Sequence, residues 1–454
     1  MNTTLAFANC LIGYTKGGLS PGATAAATRL FCDGVSVAAL GATEAAPRFL
    51  YEQAVEASGD PQATPIAQGK ARLPAVAVAR VNGAAMHVLD YEPMWNPANH
   101  SLSTTLPALL GLAEMRGDIN GNRLLTALAA GIEAQARLRR ASGMFEPGEF
   151  IFHPPGMVGA IGSAVGCGIL LGLDPAKLAM AIGIAASRAG ALIANVGSMT
   201  KCLHCGDAAA GGLEAALLAA RGFTADADAI GNPRGWGRAF GGALFDPAAL
   251  TTPMQDWHIV SPGPAFKLYP SQYGTHFVIS AALEARRKWL GLQEIDRVVI
   301  TAPAMAYVNR PLPASGLAGK FSFQFTAAAA LLDGSVTVGS FTDQRRYAED
   351  MVTLLPCIEV IPDPSRKGRF DEMTIDIAVT LKSGDCHIGH CDGPAGIWGR
   401  PVPMERLEAK WLDCLSGAYG ASNAKNLLER MKTVAIMDPS GLRELSYLLG
   451  SVDR

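Results

Sequence analysis

The sequence is poor in charged and aromatic side chains. Only 17% of its 454 residues are charged and 7% are aromatic, whereas 49% are hydrophobic and 50 residues are glycine. This balance is typical of a globular chain rather than a disordered one. The length predicts two domains. The many small side chains predict helices that pack closely together.

A strong charge of either sign is also absent. The formal net charge is −2, and the basic residues form no stripe along the chain. We therefore expect no nucleic-acid partner. An anionic substrate would need a local cluster of Lys, Arg and His side chains.

Signals for secretion and for membrane insertion are missing. The N-terminus has no basic start and only a short, interrupted apolar run, so a signal peptide is not expected. The most apolar stretch, 157–173, is rich in glycine and is followed by Asp174 and Lys177, which favours a buried core helix over a membrane span. The nine cysteines lack framework spacing and indicate free thiols in a reducing compartment. The sequence thus predicts a cytoplasmic protein with no membrane partner.

Motifs for common cofactors are missing too. The chain has no Walker A motif, no Rossmann fingerprint after a predicted strand and no GxSxG elbow. Cys202 and Cys205 enclose His204, and residues 386–391 read CHIGHC, but neither segment shows the tight paired knuckles of a structural zinc site. We predict no metal and no cofactor.

The residue pattern divides the chain into a helical part and an α+β part. Residues 1–265 read as successive helices, predicted at 21–41, 74–90 and 119–140, from Pro175, and at 207–221. After a loop rich in Gly and Pro, helices are predicted at 275–290, 322–333 and 342–355, and strands at 295–301, 357–361 and 372–381. Helices return from 402. The prediction is a mainly α protein, with a large all-helical domain from 1–265 and 395–454 and a smaller α+β domain from 266–394.

Polar and ionisable groups are concentrated in five short segments of an otherwise apolar chain. Each segment lies in a loop interrupted by Gly or Pro, or at a helix end, where functional groups are usually displayed. The segments are DYEPMWNPANH at 90–100, FHPP at 152–155, MTKCLH at 199–204, AFKLYPSQYGTH at 265–276 and YVNRP at 307–311.

The residue types in these segments favour proton transfer on a carboxylate substrate. Lys201 and Lys267 are candidate anion anchors, because a cation stabilises the charge that develops when a proton leaves beside a carboxylate. His100, His153 and Tyr307 are candidate proton-transfer groups, and histidine titrates near neutrality. Spacing alone also allows structural roles, such as a solvated lysine or a histidine that stabilises a turn.

The same five segments, in this order, resemble the MmgE/PrpD family. The resemblance runs over nearly the whole chain and includes GDINGNRLLTALAAGIEAQARL at 117–138 and TKCLHCGDAAAGGLEAALLAARGFTA at 200–225. It implies a large helical domain built from both chain ends and a smaller α+β lid. It also implies a homodimer with the active site in the cleft between the two domains.

The resemblance implies roles for eight residues. Catalytic roles fall on Asp90, His100, His153 and Tyr307, and substrate-binding roles on Lys201, His204, Lys267 and Arg310. The chain departs from the family's D-x-D/N-D-T pattern after Asp90, where Pro93 replaces an acid and Met94 replaces the threonine. A hydrogen-bonding group is thus exchanged for a flexible apolar one, and we expect an altered substrate pocket.

The leading functional hypothesis is a cofactor-independent lyase of the 2-methylcitrate dehydratase type. His100 or His153 would abstract a proton next to a carboxylate of a small di- or tricarboxylate, and a β-leaving group would depart. An epimerase of an iminodisuccinate-like acid and a cis-aconitate-type decarboxylase are the alternatives. A non-catalytic paralogue that binds a dicarboxylate is a further alternative, although the retained His, Lys and Tyr groups count against it.

Overall fold

The computed structural model of the protein describes residues 2–69, 71–146, 150–288 and 295–451. Helices dominate it, which confirms the predicted mainly α fold class. In chain order they are α1 (Thr3–Thr15), α2 (Pro21–Gly41), α3 (Ala45–Ala57), α4 (Ala75–Val88), α5 (Ser101–Arg116), α6 (Gly121–Ser142), α7 (Pro154–Leu171), α8 (Pro175–Ala186), α9 (Thr200–Ala220), α10 (Trp236–Gly241), α11 (Tyr273–Arg286), α12 (Gly316–Gly319), α13 (Phe323–Asp333), α14 (Asp343–Arg346), α15 (Glu349–Leu354), α16 (Met404–Tyr419), α17 (Ala421–Lys432) and α18 (Pro439–Gly450).

Several helices begin at residues whose side chains cap the helix. The side chains of Ser20, Asn120 and Asp174 accept hydrogen bonds from backbone N–H groups in the first turns of α2, α6 and α8. The predicted start of a helix at Asp207 is wrong, because α9 already begins at Thr200. Its first turns carry polar groups that face the interior, and these hide the apolar periodicity.

The larger hydrophobic core is built from both ends of the chain. Its residues run from Phe7 to Ile259 and again from Leu407 to Leu449. Helix α7 is long and apolar enough to cross a membrane, but 89% of it is buried inside the protein, as predicted for a core helix. The packing is close: a Cβ atom on Gly212 of α9 would lie 2.4 Å from the carbonyl oxygen of Ala160 in α7. Close approach of helices explains why α7 and α9 are rich in glycine.

A second core surrounds a mixed four-stranded sheet. The strands are β1 (Ile295–Ala302), β2 (Ile358–Pro362), β3 (Ile375–Leu381) and β4 (Cys386–Cys391), in the order β2-β1-β3-β4. The β1–β2 pair is parallel, whereas β1–β3 and β3–β4 are antiparallel. The CHIGHC segment, considered above as half of a metal site, is the unpredicted edge strand β4. Gly389 is required there, because a Cβ atom would meet the backbone of Ala281 in α11.

The segment predicted as one helix at 342–355 is two helices, α14 and α15. Tyr347 ends the first helix, and Ala348 is extended and precedes the second. The predicted domain boundaries, 1–265 with 395–454 and 266–394, stay a prediction. The second core also includes Met94, Ala265 and Ile397, which lie outside 266–394. The backbone of Met94 pairs with that of Ala265.

Candidate active site

Three helices of the large core point their N-termini at one place. His100 immediately precedes α5, His153 immediately precedes α7, and Lys201 lies in the first turn of α9. The three helices pack against one another, and the His100 and His153 rings are 6.4 Å apart between centroids. Because a helix N-terminus carries partial positive charge, this convergence favours an anion.

A cavity of about 70 Å³ lies between the two cores at these helix ends. The large core contributes Asp90, His100, His153 and Lys201 to its lining. The rest of its wall is mostly apolar or aromatic: Met94, Ala98, Phe150, Pro154, Pro155, Ile193, Val196, Tyr273, Phe321 and Phe370, together with Asn99, Gln272 and Tyr307. The cavity therefore combines an aspartate, a lysine and two imidazoles with a mostly apolar lining.

Asp90 is the centre of the charged groups. It follows the end of α4 with a φ of 52°, a left-handed conformation that costs roughly 1–2 kcal/mol in a residue other than glycine. Its Oδ2 lies 2.9 Å from Nζ of Lys201, and its Oδ1 contacts Nζ of Lys267. Burial alone would raise the pKa of Asp90, but the two ammonium groups hold it well below its usual range. Asp90 is thus a fixed anion that places two cations.

The two lysines differ in the donors that they leave free. Lys267 is fully buried and directs its ammonium group at both Oδ1 and the carbonyl oxygen of Asp90 and at the carbonyl oxygen of Ser271. Lys201 donates to Asp90 and contacts Nε2 of His87 at 2.7 Å, and it lines the cavity. An ammonium group has three donors, so Lys201 keeps one for a ligand. Direct contact between Lys267 and a substrate stays a prediction. In the structure the ammonium group of Lys267 binds Asp90.

Burial favours the neutral forms of His100 and His153. Burial lowers the pKa of His100 despite the nearby carboxylate of Glu92. Burial and the charge of Lys201 lower the pKa of His153 well below its usual value. A neutral imidazole can accept a proton at once, as a general base must.

The second core contributes Tyr307 and Arg310 at the opposite side of the cavity. Nε2 of Gln272 donates to the phenol oxygen of Tyr307 at 2.8 Å, which leaves the phenol hydrogen free to point into the cavity. Burial raises the pKa of Tyr307, so the phenol keeps its proton. Arg310 does not line the cavity; it donates to the carbonyl oxygens of Tyr307 and Val196 and so ties the two cores together.

His204 lies behind His153 rather than in the small cavity. Their Nδ1 atoms are 3.3 Å apart, and His204 lines a larger cavity of about 900 Å³ on the surface of the helical part. The charged groups of that larger cavity are paired with one another, Arg80 with Asp207 and Arg188 with Glu214. In the smaller cavity Lys201 keeps one free donor beside two imidazoles, so the volume of a cavity is a poor guide to the site here.

His87, Glu92 and His100 form a group whose spacing would suit a metal ion. The hydrogen bonds argue against one. A metal on Nδ1 of His87 would leave the ring proton on Nε2, directly opposite the Lys201 ammonium group at 2.7 Å. Two donors would then face each other, so the residues present do not fit a metal ion. The absence of a metal stays a prediction.

Sequence reasoning missed His87, Glu92 and Gln272. His87 ends an apolar helix and Glu92 is fully buried beneath the cavity, two positions after Asp90. The closely spaced His87, Asp90 and Glu92 were the available signal, because three ionisable groups are unusual next to an apolar helix.

Residues 6–246 match the model of the MmgE/PrpD N-terminal domain, and residues 269–434 match that of the MmgE/PrpD C-terminal domain. The cis-aconitate decarboxylase of Homo sapiens is 33% identical over 95% of this chain and 91% of that protein. The cis-aconitate decarboxylase of Mus musculus is 34% identical over 90% of this chain and 86% of that protein. That of Aspergillus terreus is 25% identical over 94% of this chain and 88% of that protein. These matches confirm the resemblance drawn from the five segments, and the chain belongs to the MmgE/PrpD family.

Proposed function

We propose that the protein is a cofactor-independent lyase that decarboxylates a small unsaturated polycarboxylate of the cis-aconitate type. One observation carries the proposal: Lys201 offers a free donor to a cavity that is also lined by His100 and His153. The names of the relatives support this reaction over the dehydratase favoured by the sequence alone.

The apolar wall favours loss of CO₂ over loss of water. A carboxylate that is held against Met94, Phe321 and Phe370 is poorly solvated, whereas neutral CO₂ is not penalised there. When the C–C bond to the CH₂-bound carboxyl group breaks, its electron pair forms a new C=C bond. The pair of the old double bond then takes a proton at the carbon beside the far carboxylate. The products are CO₂ and an unsaturated dicarboxylate in which the double bond has moved by one carbon.

The groups on the two sides of the cavity divide this work. Lys201 binds the carboxylate that carries the developing negative charge, and Asp90 and Lys267 hold Lys201 in place. Tyr307, held by Gln272, donates the proton. The neutral imidazole of His100 or His153 acts as a base that takes up a proton from water and passes it on to the phenolate. A six-carbon acid exceeds the cavity of about 70 Å³, so the cavity must widen when such a substrate binds.

A hydro-lyase is the second candidate, because the phenol proton of Tyr307 would also suit a departing hydroxyl group. The two reactions are separated by incubating the protein with cis-aconitate or 2-methylcitrate in D₂O with EDTA present, followed by NMR and a CO₂ assay. We expect CO₂ release from cis-aconitate with one deuterium beside a carboxylate. Water loss without CO₂ would favour the hydro-lyase, exchange with loss of chirality would favour an epimerase, and no change in any acid would favour the non-catalytic paralogue.

We further propose that the protein acts as a homodimer in the cytoplasm, as the family resemblance implies. Light scattering on the purified chain should give twice the mass of 47.4 kDa. A monomer that retains full activity would contradict the dimer.

A further inference from the structure

Glu92 lies beneath the site and outside its cavity. Its side chain is fully buried, and its Oε1 contacts two imidazoles, Nδ1 of His87 and, at 3.2 Å, Nδ1 of His100. The hydroxyl of Ser103 donates to the same oxygen at 3.0 Å. A single carboxylate therefore touches two histidines that face different parts of the site.

The contact with His100 bears on which nitrogen of that ring carries the hydrogen. Nδ1 lies 3.2 Å from Oε1 of Glu92, without the alignment of a hydrogen bond, and Nε2 lies farther from the carboxylate of Asp90. Because the nearer carboxylate attracts the ring hydrogen more strongly, we assign that hydrogen to Nδ1. Nε2 is then unprotonated, and it lies at the cavity, 3.6 Å from Oδ1 of Asp90 and beyond hydrogen-bond distance. His100 is thereby held as a base with its lone pair towards the cavity.

The contact with His87 connects Glu92 to Lys201, because the His87 ring lies between them. Nδ1 of His87 faces Glu92, so this ring also carries its hydrogen on Nδ1. Nε2 is then an acceptor, and it accepts a hydrogen bond from Nζ of Lys201 at 2.7 Å. Asp90 holds the same ammonium group from another direction at 2.9 Å. His87 thus aims the remaining N–H of Lys201 at the cavity.

We propose that Glu92 is a positioning residue that sets the base and the anion anchor together, through His100 and through His87. This inference rests on the proposed function, because it assigns these roles to His100 and Lys201. Neither Glu92 nor His87 lines the cavity, so both act through other residues. The carboxylate couples the two halves of the site, and loss of its charge disturbs both.

Glu92→Gln tests the coupling with a change of charge and almost none of shape. We expect kcat/KM to fall by about 10²-fold, divided between a lower kcat and a higher KM. The acid limb of the pH profile should move to lower pH, because the Glu92 charge raises the pKa of His100. His87→Gln should raise KM and leave that limb in place, since it affects the Lys201 branch alone.

Glu133→Gln is the matched control. Glu133 is a fully buried glutamate of the same core, paired with Arg137 and remote from the cavity. Its substitution should lower stability and leave KM and the pH profile unchanged. A folded Glu92→Gln enzyme with the wild-type pH profile and KM would overturn the proposal. If that variant fails to fold, a wild-type KM in His87→Gln would overturn it.

A readout without turnover separates this inference from the proposed function. The chain has eight histidines, so selective ¹⁵N labelling gives a tractable NMR spectrum. We expect His87 and His100 both to carry the ring hydrogen on Nδ1, and to lose this preference in Glu92→Gln. A hydrogen on Nε2 of either ring in the wild type would contradict the positioning role, even in a fully active enzyme. Inactivity towards every acid with the expected ring states would contradict the function alone.

Discussion

Asp33 and Asp90 are two buried aspartates that both face lysine, and they behave in opposite ways. Asp33 accepts from Nζ of Lys410 at 2.8 Å and from Nε1 of Trp411 at 2.9 Å. Burial raises the pKa of Asp33, and its single lysine does not reverse this. Asp90 is just as buried, but Lys201 and Lys267 together hold its pKa well below the usual range.

The difference shows how the same pair of residue types serves the fold in one place and the site in another. Asp33 joins α2 to α16, so it fastens the returning C-terminal helices to the large core. Asp90 sits in a strained backbone position beside a cavity, and its partners keep a donor free. An excess of cations around one carboxylate, next to empty space, distinguishes a site from a structural ion pair.

Asparagine at each position gives the sharpest contrast. We expect Asp90→Asn to lower kcat/KM by about 10³-fold or more, because Lys201 and Lys267 lose the anion that places them. Asp33→Asn should keep kcat/KM within about 3-fold and lower the free energy of unfolding by about 3 kcal/mol, the cost of leaving Lys410 buried without its partner. Steady-state kinetics and urea titrations measure both. Equal losses of activity in the two variants would contradict the assignment of Asp90 to the site and of Asp33 to the fold.

The lysines extend the contrast. We expect Lys267→Met to reduce kcat/KM by about 10²-fold, through the displacement of Asp90 and Lys201. Lys410→Met should affect unfolding in urea and little else. Near-native kinetics of Lys267→Met would remove this lysine from the site.

Two tyrosine hydroxyls give a smaller effect. Tyr307→Phe removes the proposed proton donor and should lower kcat by about 10- to 10²-fold, with KM nearly unchanged. Tyr419 donates to the carbonyl oxygen of Leu449 in the large core, so Tyr419→Phe should cost about 1 kcal/mol of stability without a change in kcat. A KM effect alone in Tyr307→Phe would assign that hydroxyl to binding.

The last prediction concerns the pH dependence of stability, to which a histidine of the site and a histidine of the core contribute in the same way. Burial lowers the pKa of His87 to about 4 and that of His258 to about 3. Below the unfolded value near 6.5 the unfolded chain takes up protons that the folded chain does not, so stability falls as pH drops from about 6.5 towards 4. Each histidine contributes up to about 1.4 kcal/mol per pH unit. Unfolding midpoints from pH 7.5 to 5 should decline, less steeply in His258→Gln. A flat profile would contradict neutral buried imidazoles.

The sequence predicts the mainly α fold and points to much of the candidate site. The helix Pro21–Gly41 is delimited by its first proline, its last glycine and its apolar spacing, all of which are local signals. His100, His153 and Lys201 stood out because polar groups were rare around them. Glu92 and His87 were missed because burial of their side chains arises only when α4, α5 and α9 pack together. Strand β4 was missed because CHIGHC has a glycine where α11 crosses it and no clear alternation.

A crystal structure with tricarballylate, the saturated counterpart of the proposed substrate, tests the central claim most directly. We expect one carboxylate within hydrogen-bond distance of Nζ of Lys201, the carbon chain between His100 and Tyr307, and the apolar wall around a second carboxylate. A ligand bound instead in the larger cavity beside Arg80, with the small cavity left unchanged, would contradict it.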